Sequence, residues 1–198
     1  MTSKILGLTT VALAAAAFAT QAGAQGAPLT LSGATPPGVC SFSGDRAVAE
    51  STAGKYVSER LGELSTQVKA ELDAEQNGIQ TDAATLDSQK ASLSQDQYQS
   101  QGAALQTRAA ALQRKAQQRE AEMQATQRKA IQTIEATLAP VVQQVAQGRA
   151  CTLLISTDAL VLPNPSIDIT DQVMTGLNAK LTQFPVEREH LDQPAAGQ

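Results

Sequence analysis

Apolar residues recur at seven-residue intervals along the middle of the chain: Leu72, Ile79, Leu86 and Leu93, then, after a break, Tyr98, Leu105 and Leu112. That interval keeps one thin apolar seam on one side of a helix, which is the coiled-coil pattern. Residues 51–147 are crowded with Ala, Gln, Glu, Lys and Leu, contain one proline (Pro140) and have few glycines, so helix propensity agrees. The pattern predicts two long antiparallel helices. A seam this narrow cannot build a globular core, so the arms are expected to project as a hairpin from a compact body made by the flanking segments.

Capping signals set the boundaries. Ser51 is an N-cap for the first arm. Ser94-Gln95-Asp96-Gln97 fits a capping box and starts the second, which puts the tip within residues 90–96. Each arm then holds about 40 residues and projects roughly 60 Å. Residues 55–93 carry four basic and seven acidic side chains, and residues 94–140 carry six and four. Opposite net signs favour contact between the arms, although exposed pairs contribute little each; solvated faces with a chance imbalance would look the same. Toward its end the second arm becomes more apolar, with Ile131, Ile134, Leu138, Val141, Val142 and Val145, so this part is expected inside the body. Pro140 is expected to kink it and Gly148 to end it.

The flanks read as short β and α elements. Residues 39–42 alternate as a strand, and Gly44 or Asp45 is placed to cap a short helix through Val48 to Glu50. Residues 151–156 and 159–162 read as two further strands joined tightly at Thr157-Asp158. Pro163-Asn164-Pro165 breaks the chain, and Thr170 is expected to cap a last helix with Val173, Met174, Leu177 and Leu181 on its buried stripe. The segment from Thr182 is polar and proline-bearing and reads as disordered.

Composition narrows the class. The 198 residues suffice for one domain, but aromatics are only 3% and Trp is absent, which excludes a large aromatic-filled core. A net charge of −4 gives no reason to expect nucleic acid, whose binders carry basic patches. Lys4, the apolar run of residues 5–19 and Ala22-Gly23-Ala24 have the layout of a secretory signal peptide, with cleavage expected after Ala24. The alternative is an uncleaved anchor, but the run is shorter than a membrane span. Lys4 leaves with the segment, so 14 basic side chains remain against 19 acidic, a net charge of −5. No later segment is apolar enough to span, and a soluble exported product is expected.

Strand, short helix and Glu50-Ser51-Thr52-Ala53-Gly54-Lys55 before a long hairpin resemble the opening of the OmpH/Skp family of periplasmic chaperones. The closing stretch, residues 153–156, 159–162 and 165–173 with its Ile167-Asp168-Ile169-Thr170-Asp171 run, is similar more specifically. The resemblance covers about residues 38–180. It implies an α+β, mostly helical fold: a small β-sheet body (38–50 and 139–181) and a coiled-coil hairpin arm (51–138). Residues 1–24 are then the signal peptide, 25–37 a disordered lead-in and 182–198 a disordered tail. It further implies a homotrimer whose bodies close one β-barrel core, with Leu153, Leu154, Ile155, Leu160, Val161 and Leu162 in the trimer body. Three helical tentacles would surround a cavity that holds unfolded outer-membrane β-barrel proteins without ATP, in the periplasm. Closure also has a physical logic, since it removes the open edges of a small sheet. A peripheral contact with the membrane surface belongs to the same expectation. This chain departs from well-known members in being acidic, with twelve Gln between Gln89 and Gln132, so apolar and hydrogen-bond contacts gain weight over electrostatic capture. Tyr98 at the tip is a candidate client contact, against the plainer alternative that it packs the tip.

Cys40 and Cys151 fall in strands expected to share the body sheet, in an oxidising compartment. A disulfide between them would close a loop of about a hundred residues and contribute up to ~4–5 kcal/mol on the chain-entropy argument; two buried free thiols are the alternative. Two Cys and His190 fall short of four metal ligands, and His190 lies where nothing is expected to orient it as a catalytic base. Glu120 and Glu122 read as solvated helix carboxylates, and no phosphate-binding Gly-Lys-Ser/Thr loop occurs. No cofactor and no enzymatic activity are expected. On the family resemblance and the export signal, a holdase is favoured over a structural or scaffolding coiled coil of the cell envelope, and an exported hydrolase is a distant third.

Overall fold

The computed structural model describes residues 32–191. The segment read as a signal peptide and the first part of the expected lead-in lie outside the described residues, as do residues 192–198. The elements run β1 (Val39–Phe42), α1 (Gly44–Glu50), α2 (Thr52–Ser88), α3 (Gln95–Gly148), β2 (Leu153–Ser156) and α4 (Thr170–Lys180). The chain is mostly helical with a small sheet.

Two long helices carry the seam. At ~1.5 Å per residue, α2 with its 37 residues is about 55 Å long, and α3 with its 54 is about 80 Å. The extra length of α3 continues from the arm into the body and includes Pro140. Both N-termini form as the local sequence predicts. The Ser51 hydroxyl accepts from the Gly54 amide at 3.0 Å, and Ser94 with Gln97 forms a reciprocal capping box. Ile79, Leu86 and Leu112 are buried along the seam, while Leu72, Leu93, Tyr98 and Leu105 are half-buried. Ion pairs step in opposite directions along the two helices: Asp82 with Arg108, Glu75 with Lys115, Glu71 with Arg119. In each pair the acid is on α2 and the base on α3, so the charge imbalance read from the sequence is realised as contacts.

The core gathers where α1, the base of α2, the end of α3 and α4 converge. Ala47, Ala53, Ile134, Val141, Ile169, Val173 and Leu177 are almost fully enclosed there. Helix α4 presses close to α3: a Cβ on Gly176 would sit 2.7 Å from a Val141 methyl. Small side chains let these helices pack without aromatic bulk, which is why 3% aromatics suffice.

The sheet is smaller than expected. It has two strands, β1 and β2, paired in parallel from Val39 opposite Leu153 to Phe42 opposite Ser156. A parallel pair needs a long crossover, and the whole helical hairpin supplies it. Residues 159–162 do not form the expected third strand. Thr157–Ala159 makes a 3₁₀ turn, closed when the Ser156 hydroxyl accepts from the Asp158 amide, and Val161 is 94% exposed. The other side of β1 is taken by the segment before α4, where the Ile169 amide donates to the Ser41 carbonyl at 2.9 Å. The outer edge of β2 therefore stays unpaired among the described residues.

Two caps also differ from expectation. Ser43, rather than Gly44 or Asp45, caps α1 by accepting from the Arg46 amide at 3.3 Å. Thr170 makes no cap bond for its own helix. Its hydroxyl accepts from the Ser43 amide at 3.0 Å and donates to Asp168, whose carboxylate also takes the Thr170 amide at 2.8 Å. Arg46 then pairs with Asp168 at 3.0 Å and Asp171 at 3.3 Å. The Asp168-Ile169-Thr170-Asp171 run therefore locks the β1–α1 corner to α4.

Cys40 and Cys151 are bonded, with Cα atoms 5.7 Å apart and a separation of 111 positions in sequence. Ala150 adopts φ 53° after α3, and the reversed chain sends the Cys151 amide back to the Ala146 carbonyl at 2.9 Å. That C-terminal turn brings Cys151 beside β1.

Candidate functional site

Two surfaces carry the residues singled out by sequence. The first is the outer side of β2 and the turn that follows it. Leu153, Leu154, Val161 and Leu162 are exposed there at 53%, 38%, 94% and 40%, while Ile155 and Leu160 are half-buried. All six belong to the one short stretch that β2 begins, and four of these large apolar side chains lie open to solvent there.

The second surface is the pair of arms. Beyond the core, their exposed side chains are mainly Ala, Gln, Ser, Thr and scattered charges. Tyr98 is at the tip, apart from the β2 edge, half-buried with the Lys90 ammonium 5.6 Å from its ring centroid. It packs the tip and keeps part of its ring open.

Midway along the arms lies a charge cluster that sequence reading missed. Glu122 is not solvated: it is 1% exposed, pairs with Arg119 at 2.9 Å and Arg188 at 3.5 Å, and accepts from the Gln118 amide at 3.1 Å. Glu71 on α2 faces Arg119 at 3.0 Å, Lys115 at 2.9 Å and Arg188 at 3.2 Å. These cations, Arg119 foremost and Lys115 next, hold the Glu71 carboxyl down at about 2 against the opposing effect of burial. Glu75 and then Glu71 raise Lys115, and Glu71 raises Arg119. A carboxyl group held ionised this firmly, as at Glu71, is a poor general acid. Among the described residues no cluster of His, Cys, Asp and Glu is arranged to hold a metal ion.

The tail enters this cluster. Residues 182–191, expected to be disordered, pack along the arms: Val186 is 5% exposed, Phe184 adds to the core, and Arg188 bridges the two helices. The only local signal was apolar Phe184 and Val186 at alternate positions. Their partners on α2 and α3 are distant in sequence, so the contact was not legible. His190 lies beside Arg188 on this packed strap rather than in a free tail.

Comparison with known proteins places this architecture. Residues 38–177 match the family described as outer membrane protein (OmpH-like). The crystal structure of an OmpH-like candidate outer-membrane chaperone from Caulobacter crescentus CB15 superposes with a TM-score of 0.79 at 41% identity, covering 81% of this chain and 95% of that one. A search of curated proteins finds no match. With the family match spanning strand, hairpin and closing helix, the chain belongs to the OmpH-like family of outer membrane proteins.

Proposed function

We propose that this chain is an ATP-independent holdase that binds unfolded outer-membrane β-barrel proteins in the periplasm and keeps them from aggregating on the way to the outer membrane. The observation that carries it is geometric. Two long arms with small and polar surfaces rise from a body in which β2 and the loop after it leave Leu153, Leu154, Val161 and Leu162 uncovered. Three such edges closing on one another would bury these side chains in a shared barrel core and set three antiparallel coiled-coil hairpins around one cavity. The family match, and the outer-membrane chaperone role in its relative's name, support the same assignment over a scaffolding role. Export through a cleaved leader ending at Ala24 would deliver the chain to its clients.

Holding then works through many weak contacts. The acidic balance disfavours capture by positive charge, so apolar patches, Gln and Ser side chains and the Tyr98 ring at the tip make the contacts. The test is dilution of a urea-unfolded outer-membrane barrel protein into buffer, followed by light scattering. Suppression is expected at about one trimer per client, without nucleotide and with weak salt dependence. Undiminished scattering at a several-fold excess of chain would overturn the assignment.

A further inference from the structure

Residues 182–191 run in extended form along the seam between α2 and α3, toward the tip. Successive side chains of an extended segment point to opposite sides, and here Phe184, Val186 and Arg188 face the arms while Pro185 and Glu187 are exposed. Much of the hold is on the main chain. Arg60 Nε donates to the Val186 carbonyl at 3.3 Å, and the Glu189 amide donates to Thr126 Oγ1 at 2.9 Å. The Leu191 amide donates to Glu122 at 3.4 Å, and Gln118 donates to the Leu191 carbonyl at 2.9 Å. Bonds of this kind recognise an extended backbone whatever its side chains.

Selectivity sits in the side-chain slots. Phe184 and Val186 fill two apolar ones. The third is electrostatic. Without Arg188 the cluster holds three carboxylates, Glu71, Glu75 and Glu122, against two cations, Lys115 and Arg119. Arg188 restores neutrality, and a partly buried excess charge is costly.

We propose that this seam is a peptide-binding groove, closed in cis by residues 182–191, for an extended stretch of unfolded polypeptide with the pattern apolar-x-apolar-x-basic that displaces the strap. The proposal rests on the holdase assignment for the source of the ligand and adds where on the arms such a stretch sits. A tethered occupant competes at millimolar effective concentration. The native chain therefore binds a free peptide weakly, and loosening the strap strengthens binding.

The experiment uses the full mature chain beside its Arg188→Glu variant, in which the introduced carboxylate would meet Glu71 and Glu122. Two dye-labelled probes are titrated by fluorescence anisotropy: a peptide with the sequence of residues 182–191, and an apolar-x-apolar-x-basic peptide taken from a transmembrane β-strand. Arg188→Glu is expected to bind both at least tenfold more tightly than the native chain, and each unlabelled peptide should displace the other. Val186→Ser, which removes an apolar anchor and no charge, should shift affinity the same way and replaces Arg188→Glu if that variant loses helicity by circular dichroism. Equal affinities in folded variants, or a strap peptide that the barrel peptide cannot displace, would make the strap a structural element and end the proposal. Suppression of aggregation by a chain whose variants bind neither peptide would overturn the groove and leave the holdase standing. Tight peptide binding without any suppression would support the groove and remove the holdase.

Discussion

Ser51 ends one helix and begins the next with a single hydroxyl, donating to the Val48 carbonyl at 2.9 Å and accepting from the Gly54 amide at 3.0 Å. The corner is so tight that a Cβ on Gly54 would lie 1.7 Å from the Val48 carbonyl oxygen. Gly54→Ala is therefore expected to destabilise the protein by about 1–3 kcal/mol through overpacking. Gly62→Ala, with open space around it, should stabilise by about 0.5–1 kcal/mol through helix propensity. Thermal melts of the two variants check the contrast, and equal melting temperatures would mean the corner opens freely. At this scale the sequence was legible where a cap serves its own turn, as at Ser51 and Ser94. It was misleading at Thr170, whose hydroxyl serves Ser43, 127 residues away.

The arms are held at two levels of strength. Toward the tip the seam buries Ile79, Leu86 and Leu112, with Arg108 and Asp82 paired at the surface. Nearer the body, Glu71, Lys115, Arg119, Glu122 and Arg188 form a network across both helices and the strap. Glu71 belongs to the class whose folded value is depressed, from 4.5 to about 2. Its contribution is therefore complete above pH 4.5 and is lost as pH falls through about 2. The gap in melting temperature between the native chain and Glu71→Gln should be widest near neutrality and close progressively in acid. A gap independent of pH would show that the carboxylate's charge does not tie the arms. Heptad spacing made the arms readable, because a seam repeats within each helix. The strap was not readable, because its few apolar residues acquire meaning only once two helices form a groove for them.

The sheet has an open edge among the described residues. Strand β2 has β1 on one side, and Leu153, Leu154, Val161 and Leu162 lie exposed on the stretch it begins. The trimer proposed above would cover them. An aspartate at Leu154 or Ile155 would place a charge in that covered sheet, so either variant should dissociate. Light-scattering mass in line with size exclusion is expected to fall from three chains to one, with helicity retained. A variant that remains trimeric would place the subunit contact elsewhere. The disulfide should hold in either state, since Cys40 and Cys151 belong to the same subunit.

What the sequence determined by itself is what repeats or closes locally: the two arms, the capping box at their tip, the short strand at 39–42, the strand read at 151–156 and formed at 153–156, and the closing helix, all encoded in residues within one or two turns of each other. The pairing of Cys40 with Cys151 was also within reach, because Cys40 lies in β1 and Cys151 stands two residues before β2, the strand that pairs with it. Only the tertiary structure decided the rest. Residues 159–162 have strand composition but make a turn and an exposed loop, since the 3₁₀ turn at Thr157–Ala159 ends β2 without folding the chain back onto its open edge. Glu122 looks solvated in sequence and is buried in the fold, because the strap brings Arg188 and the Leu191 amide to it. Residues 182–191 look structureless, and they are held by contacts more than fifty residues away that cooperate only after the hairpin has formed.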